Sequence, residues 1–472
     1  MTVNPTGAPP APRAPGPAGP LADVLARLRE VQASGRTRPL PWRQAQLRGI
    51  ERLVTEREGE IAASLARDLG RSAPEAWLGD IASTAGEAAF ARKHLHRWTK
   101  RQKVRLPLMH LPGSGWVQYE PLGVVLVIGP WNYPVYLTLA PLVAAVAAGN
   151  CAVVKPSEVA PATSALLARL IPEYLDREAV VVVEGDAATT QELLALGFDH
   201  ALFTGGTETG SKIMAAAAPT LTPVTLELGG KSPVIVTRDA DLGVAARRIA
   251  MGKLLNSGQT CISPDYVLVE RAVRAELVDR IVAAVARFRG GSPGEGLPIV
   301  NERHFDRLTG YLEATLGTVV TGGSANRASS TMHPTVIVNP DPNEPVMSAE
   351  IFGPILPVLE VSDVDEAIRF VRARPKPLAL YVFSESLSRA RRIVDAVPAG
   401  GAVVNHVAMH CLVPQLPFGG VGPSGMGAYH GKWGFQQLSH RKAVLSKTAR
   451  PDLKLLYPPY TRRALAVLRR LF

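Results

Sequence analysis

The chain has 472 residues, 46% of them hydrophobic and 20% charged, a globular balance that can fill a large core and suggests roughly three domains. The net charge of +11 invites a polyanionic partner, but the basic residues scatter over apparent helices, with denser groups only at Lys100-Arg101-Gln102-Lys103 and at the C-terminus, and no aromatic residues interleave them as on a nucleic-acid surface. Cys151, Cys261 and Cys411 are too few for a disulfide framework and show no metal-ligand spacing, so the reading is a cytoplasmic protein without metal or nucleic acid.

Residues 1–20 are rich in Pro, Ala and Gly, contain no apolar stretch that could act as a secretory signal, and read as a disordered arm. Over residues 21–98 the apolar positions recur at helical spacing, as in Leu21, Val24, Leu25 and Leu28. Val124–Ile128 then reads as a buried strand, Gly129-Pro130 as a turn, Tyr136–Ala148 as a helix closed by Gly149-Asn150, and Cys151-Ala152-Val153-Val154 as the next strand. The longest apolar stretch, residues 137–148, is too short to span a bilayer. The alternation continues with a strand at 180–183, a helix at 189–196, a strand at 201–203, a helix from about Gly206 and a strand pair at 224–228 and 233–236. A second α/β series runs from about residue 241 to 404, with strands near 266–269, 319–320 and 378–383 and a surface loop at 290–298. Strands separated by helices predict an α/β fold of doubly wound parallel sheets, with ligand sites at the carboxyl ends of the strands. Residues 419–431 are dense in glycine, as suits a loop that passes close to another segment or a ligand, and a tail follows them.

Chemistry-bearing residues fall in the turns after these strands. Cys261 follows Asn256-Ser257-Gly258-Gln259-Thr260, small and polar neighbours unlike those of a core cysteine, which makes it a candidate nucleophile; Cys151, within a strand, reads as core, and Cys411 as either a substrate-entrance or a surface thiol. Asn132 either caps the helix that follows or aims an amide at a developing oxyanion. Lys155 and Glu158 form either a surface pair or a ribose and phosphate site. Gly205 and Gly210 have P-loop spacing, but Ser211-Lys212 reverses the required Lys-Ser order, which argues against nucleotide hydrolysis and leaves a dinucleotide pyrophosphate. Glu227, between two leucines, is either a buried general base or a partner of Lys231, and Glu350 beside Phe352 is a second acid.

Seven motifs carry a resemblance: Pro130-Trp131-Asn132, Lys155-Pro156-Ser157-Glu158, Phe203-Thr204-Gly205, Leu226-Glu227-Leu228-Gly229-Gly230-Lys231, Gly258-Gln259-Thr260-Cys261, Glu350-Ile351-Phe352-Gly353-Pro354 and Pro417-Phe418-Gly419-Gly420. In this order they resemble the aldehyde dehydrogenase superfamily over residues 21–460, and Tyr133-Pro134, Asn301-Glu302-Arg303-His304-Phe305 and Tyr429-His430-Gly431 resemble its class 3 branch of fatty, aromatic and coniferyl aldehyde dehydrogenases. The resemblance implies an NAD(P)-binding unit at 21–228 with a bridging segment near 110–121, a catalytic unit at 229–415 and a loop and dimerisation element at 416–460. It also implies NAD as cofactor with some NADP use, an apolar aliphatic or aromatic aldehyde as substrate, and a homodimer. Residue by residue it makes Cys261 the nucleophile, Asn132 the oxyanion donor and Glu227 the general base. Lys155 and Glu158 would hold the adenosine ribose, Gly205 and Gly210 would flank the pyrophosphate helix, and Glu350 and Phe352 would hold the nicotinamide ribose and ring. A non-catalytic cofactor-binding relative is the rival reading, opposed by the intact Cys261, Glu227 and Asn132 set.

Two departures stand out. Residues 405–415 depart from the resemblance in a region expected to wall the aldehyde tunnel. Residues 461–472 segregate four arginines from large apolar side chains at helical spacing, which suits either a helix lying on an anionic membrane, making the protein peripheral, or one docked on the protein or its dimer mate.

Overall fold

The computed structural model describes residues 19–288, 296–452, 457–459 and 461–471. The expected N-terminal arm, up to residue 18, and most of the expected 290–298 loop lie outside the described residues.

The chain opens with helices Pro20–Ala33, Leu40–Glu56, Glu58–Leu69 and Ala82–Trp98, as the apolar spacing predicts. Leu47, Ile50 and Val54 fall on one face of the second helix, and Leu65 and Leu69 on the third meet them in a single core. Just before the last of these helices stands a π-helical turn, Trp77–Ile81, a widened turn of a kind that recurs at functional sites.

Next come β1 (Val124–Ile128), β2 (Cys151–Lys155), β3 (Val180–Val182), β4 (His200–Thr204) and β5 (Val224–Glu227). They form a parallel sheet in the order β5-β4-β1-β2-β3. Every residue of β1 is buried, which is why Val-Val-Leu-Val-Ile shows no polar alternation. The helix Tyr136–Ala148, buried along its whole length, packs between this sheet and the N-terminal helices and stops at Gly149, whose φ of 88° needs no Cβ. After β1 the chain builds outward through β2 and β3, then returns to place β4 on the other side of β1. The loops after β1 and β4 therefore splay apart and open a crevice.

The second sheet contains β6 (Pro233–Val236), β7 (Tyr266–Glu270), β8 (Thr318–Thr321), β9 (Thr335–Val338), β10 (Ile355–Val361), β11 (Ala379–Phe383) and β12 (Gly401–Val404). Its order is β8-β9-β10-β7-β6-β11-β12, and only β8 runs antiparallel to its neighbour. This corrects the expected pairing of residues 224–228 with 233–236. Those strands lie in different sheets, and Gly229-Gly230-Lys231 carries the chain between them.

A third, antiparallel sheet joins Gln102–Val104, Gly113–Pro121 and Ser439–Lys447. Periodicity assigns no strand after residue 431, yet Ser439–Lys447 pairs with Gly113–Pro121 along its full length, from Ser439 opposite Pro121 to Lys447 opposite Gly113. Most of its residues are exposed, so it lacks the one-sided apolar alternation by which a strand is recognised. The glycine-dense stretch does run against another segment: Gly425, at φ 143°, pairs with Glu227, and a Cβ there would stand 2.2 Å from the Leu226 carbonyl oxygen.

Candidate active site

The turn after β1 delivers Asn132, which is buried. The helix that follows is capped at Val135, so Asn132 is not its cap. Its Nδ2 donates to the Gln259 carbonyl at 3.1 Å, and its own backbone carbonyl accepts from Asn256 Nδ2 at 3.1 Å. A carboxamide has two N–H donors, so one remains for a ligand.

Cys261 ends a sharp turn after the helix Leu242–Leu254. Asn256 and Ser257 both take the left-handed conformation with φ 50°, which costs roughly 1–2 kcal/mol each and persists only where packing enforces it. Gly258 follows at φ 73°, and a Cβ on it would lie 2.2 Å from the Gly353 carbonyl oxygen. The small residues before Cys261 thus answer to close packing against the segment that carries Glu350 and Phe352. The thiol is half-buried; burial first, then the neighbouring Glu350, Cys411 and Glu227, push its pKa up from the ordinary thiol value.

Glu227 is the last residue of β5, flanked by Thr204 of β4 on one side and Gly425 on the other. It is buried, and neither carboxylate oxygen has a hydrogen-bond partner among the described residues. Burial alone holds its pKa well above the usual carboxylate range. The Lys231 alternative falls away, because Lys231 Nζ is committed to Asp265 Oδ2 at 2.5 Å and to the carbonyls of Val346 and Ala349 at 2.8 and 2.9 Å.

Asn132, Cys261 and Glu227 border one groove of about 1110 Å³ at the carboxyl ends of both parallel sheets. Lys155, Glu158 and Gly205 line its first-sheet side, and Glu350 and Phe352 its second-sheet side. Lys155 is buried, and its Nζ meets Glu158 Oε2 at 2.5 Å. Gly205 must stay small, since a Cβ would come within 2.4 Å of Phe203 Cζ. Gly210 does not line the groove; it lets the helix Thr207–Ala217 settle on Leu228, whose Cδ2 would be 2.5 Å from an added Cβ. Phe352 sits at φ 48°, rare for a bulky residue, with its ring edge-on to Trp131 at 5.4 Å. Burial, with Asp265 nearby, pushes the Glu350 carboxyl up to about 8.

The structure adds residues that site reasoning from sequence did not assign. Arg303, His304 and Arg307 line the same groove, and burial lowers His304 to about 4. Deeper in, Arg71 and Asp80 form a fully buried ion pair behind Asn132. Cys261 packs against an apolar cluster that includes Tyr136, Phe418 and Tyr429, and Tyr133 and Cys411 pack against the same cluster.

Comparison with known proteins identifies the family. The aldehyde dehydrogenase family model matches residues 22–444. Aldehyde dehydrogenase family 3 member A2 of Mus musculus is 47% identical over 439 residues, covering 92% of this chain and 90% of the relative. The dimeric NADP-preferring aldehyde dehydrogenase of Rattus norvegicus is 44% identical over 444 residues, covering 93% and 98%. Among solved structures, the substrate-bound state of Staphylococcus aureus AldH superposes with a TM-score of 0.93 at 37% identity, covering 96% of this chain and 100% of that one. The S. aureus betaine aldehyde dehydrogenase in complex with NAD+ superposes with a TM-score of 0.82 at 25% identity, covering 93% and 89%. Its sequence, its fold and its relatives therefore agree that the chain belongs to the aldehyde dehydrogenase family and is an NAD(P)-dependent enzyme that oxidises aldehydes.

Proposed function

We propose that the enzyme converts medium- or long-chain aliphatic or aromatic aldehydes to carboxylic acids through a covalent adduct on Cys261, with Asn132 as oxyanion donor and Glu227 as general base. The observation that carries this reading is the convergence of an orphaned buried carboxylate, a free amide donor and a thiol on one groove. An aldehyde carbon releases hydride readily only when tetrahedral. Glu227 takes the thiol proton, Cys261 Sγ adds to the carbonyl, and the second N–H of Asn132 holds the oxyanion that forms. When bound, the oxidised nicotinamide supplies the hydride acceptor. A thioester remains on Cys261; Glu227, having passed the thiol proton on to solvent, accepts a proton from water, the water oxygen attacks the acyl carbon, and the carboxylic acid leaves as the thiolate is restored.

The residues present fit a dinucleotide. The amides opening the helix Thr207–Ala217 suit a pyrophosphate, Lys155 and Glu158 would hold the adenosine ribose, and Glu350 and Phe352 the nicotinamide end. A carboxylate at the ribose favours NAD over NADP by repelling a 2′-phosphate, while Lys155 beside it leaves room for some NADP use. The apolar cluster against which Cys261 packs supports an apolar substrate. Leu412 and Val413 of the unusual loop, and Leu416 just after it, are exposed and apolar. Reduced-cofactor absorbance with acetaldehyde, hexanal, decanal and benzaldehyde tests this. kcat/KM is expected to rise at least tenfold from acetaldehyde to decanal, since each buried methylene is worth about 0.8 kcal/mol, and to be higher with NAD. A preference for acetaldehyde would refute the substrate class.

We also infer a homodimer built on the three-stranded sheet, which exposes Val104 and Leu445, in keeping with the relative named as dimeric. The C-terminal helix Arg462–Leu471 we read as a contact to anionic membrane surfaces. Arg462, Arg463 and Arg469 are exposed, and Leu465 and Val467 are exposed too, so that these two apolar residues are not spent on the chain itself. No described helix is long and apolar enough to cross a membrane. The chain is expected to co-sediment with phosphatidylserine vesicles, and to lose at least tenfold in binding when residues 461–472 are removed. Equal pelleting of the two forms would rule out this role for the helix.

A further inference from the structure

We propose that Arg71, through its ion pair with Asp80, is a positioning residue that holds the Asn132 turn and the Cys261 loop in register. The inference rests on the roles given above to Asn132 and Cys261. Arg71 follows the helix Glu58–Leu69 and is far in sequence from both segments, yet its side chain and that of Asp80 are completely buried behind them.

The guanidinium makes a separate contact in each direction. Nη1 meets Asp80, Nη2 donates to the Asn132 backbone carbonyl, and Nε donates to Asn256 Oδ1 at 3.3 Å. Its Cζ lies over the Tyr133 ring, 4.2 Å from the centroid, and the Tyr133 hydroxyl is hydrogen-bonded to Thr260 Oγ1 at 3.0 Å, one residue before Cys261. The other oxygen of Asp80 accepts from the backbone N–H groups of Val135 and Tyr136 at 3.0 and 2.8 Å, which fixes the end of the same turn. Asn256 closes the circuit, donating to both the Asn132 and the Gln259 carbonyls at 3.1 Å.

One rigid planar cation therefore ties together the π-helical turn that carries Asp80, the turn that carries the oxyanion donor, and the strained loop that carries the nucleophile. The contacts fall where orientation matters. Asn256 is one of the two consecutive left-handed residues of the nucleophile loop, and the Asn132 carbonyl fixes the backbone from which the carboxamide projects. A lysine would keep the charge, but its single nitrogen cannot reach Asp80, Asn132 and Asn256 together while also covering the Tyr133 ring. Displacement of a reacting group by about 1 Å costs on the order of 10²-fold in rate.

The test is a mutant cycle on the full chain. Arg71→Lys is expected to lower kcat/KM for the aldehyde by about ten- to a hundredfold while leaving reduced-cofactor affinity and the KM for NAD unchanged. With a 1-deuterated aldehyde it should also show a larger isotope effect than the wild type. In an Asn132→Ala background the same substitution should cost several-fold less than in the wild type, because one of the two groups through which it acts is gone. If Arg71→Lys melts below the assay temperature, the neutral pair Arg71→Met with Asp80→Asn, which strands no buried charge, carries the same comparison. A folded Arg71→Lys enzyme with full kcat/KM overturns the proposal, as does an equal fold-loss with and without Asn132. Full activity of Asn132→Ala alone would instead overturn the oxyanion reading beneath it.

Discussion

Cys261→Ala is expected to lower kcat/KM for every aldehyde by roughly 10⁶-fold, the scale on which loss of a covalent nucleophile acts, while reduced cofactor still binds. Without Sγ the carbonyl carbon stays trigonal, and no alkoxide forms to drive hydride out. Asn132, Glu350 and Phe352 keep their places, because the loop is held by Asn256, Gln259 and the contact of Gly258 with Gly353, none of which uses the thiol. Fluorescence titration with reduced cofactor separates the two effects. Retained binding with lost turnover supports the covalent route, whereas turnover within tenfold of the wild type would eliminate it.

Glu227→Gln should split the reaction in time. Release of the acid needs a base for water, and loss of such a base costs about 10²–10⁴-fold, so steady-state turnover should fall by that factor. Where an external base can take the thiol proton in place of Glu227, a rapid burst of one equivalent of reduced cofactor per site should remain. Absence of a burst under these conditions, with cofactor binding intact, would show that Glu227 has a role before hydride transfer that no external base replaces.

The same residue makes a pH prediction with a definite sign. Its folded-state pKa is raised by burial, so it must be deprotonated to act, and kcat is expected to fall as pH drops through that raised value, well above 4.5. Stability runs the other way. Between about pH 4.5 and the raised value the folded chain binds the proton more tightly than the unfolded chain, so the wild type loses stability as pH rises across that window. Glu227→Gln carries no such penalty and should melt higher than the wild type at neutral and alkaline pH, with the gap closing towards pH 4.5. A wild type that melts higher at neutral pH would mean that the carboxylate is paired rather than orphaned.

How much was legible in advance depended on the range of the interaction. The helix Tyr136–Ala148 and the strands β1 and β6 were readable to the residue, because their identity is written in local runs bounded by Gly or Pro. Ser439–Lys447 was not, because what makes it a strand is pairing with Gly113–Pro121, more than three hundred residues away, and its exposed side chains carry no pattern. The separation of 224–228 from 233–236 into two sheets was also invisible, since a short Gly-Gly turn permits a hairpin as readily as a crossing.

By itself, the sequence determined the parts of the catalytic chemistry: a thiol among small polar neighbours, a carboxylate between leucines, an amide after a strand, and the order of motifs that places them in one family. Only the tertiary structure decided which alternative each residue takes. It occupies Lys231 with Asp265 and leaves Glu227 alone, it moves the cap from Asn132 to Val135, and it sets Arg71 and Asp80 behind the site. The physical reason is that a residue's type and neighbours limit what it can do, whereas burial, pKa and hydrogen-bond partners depend on groups that folding brings in from distant parts of the chain.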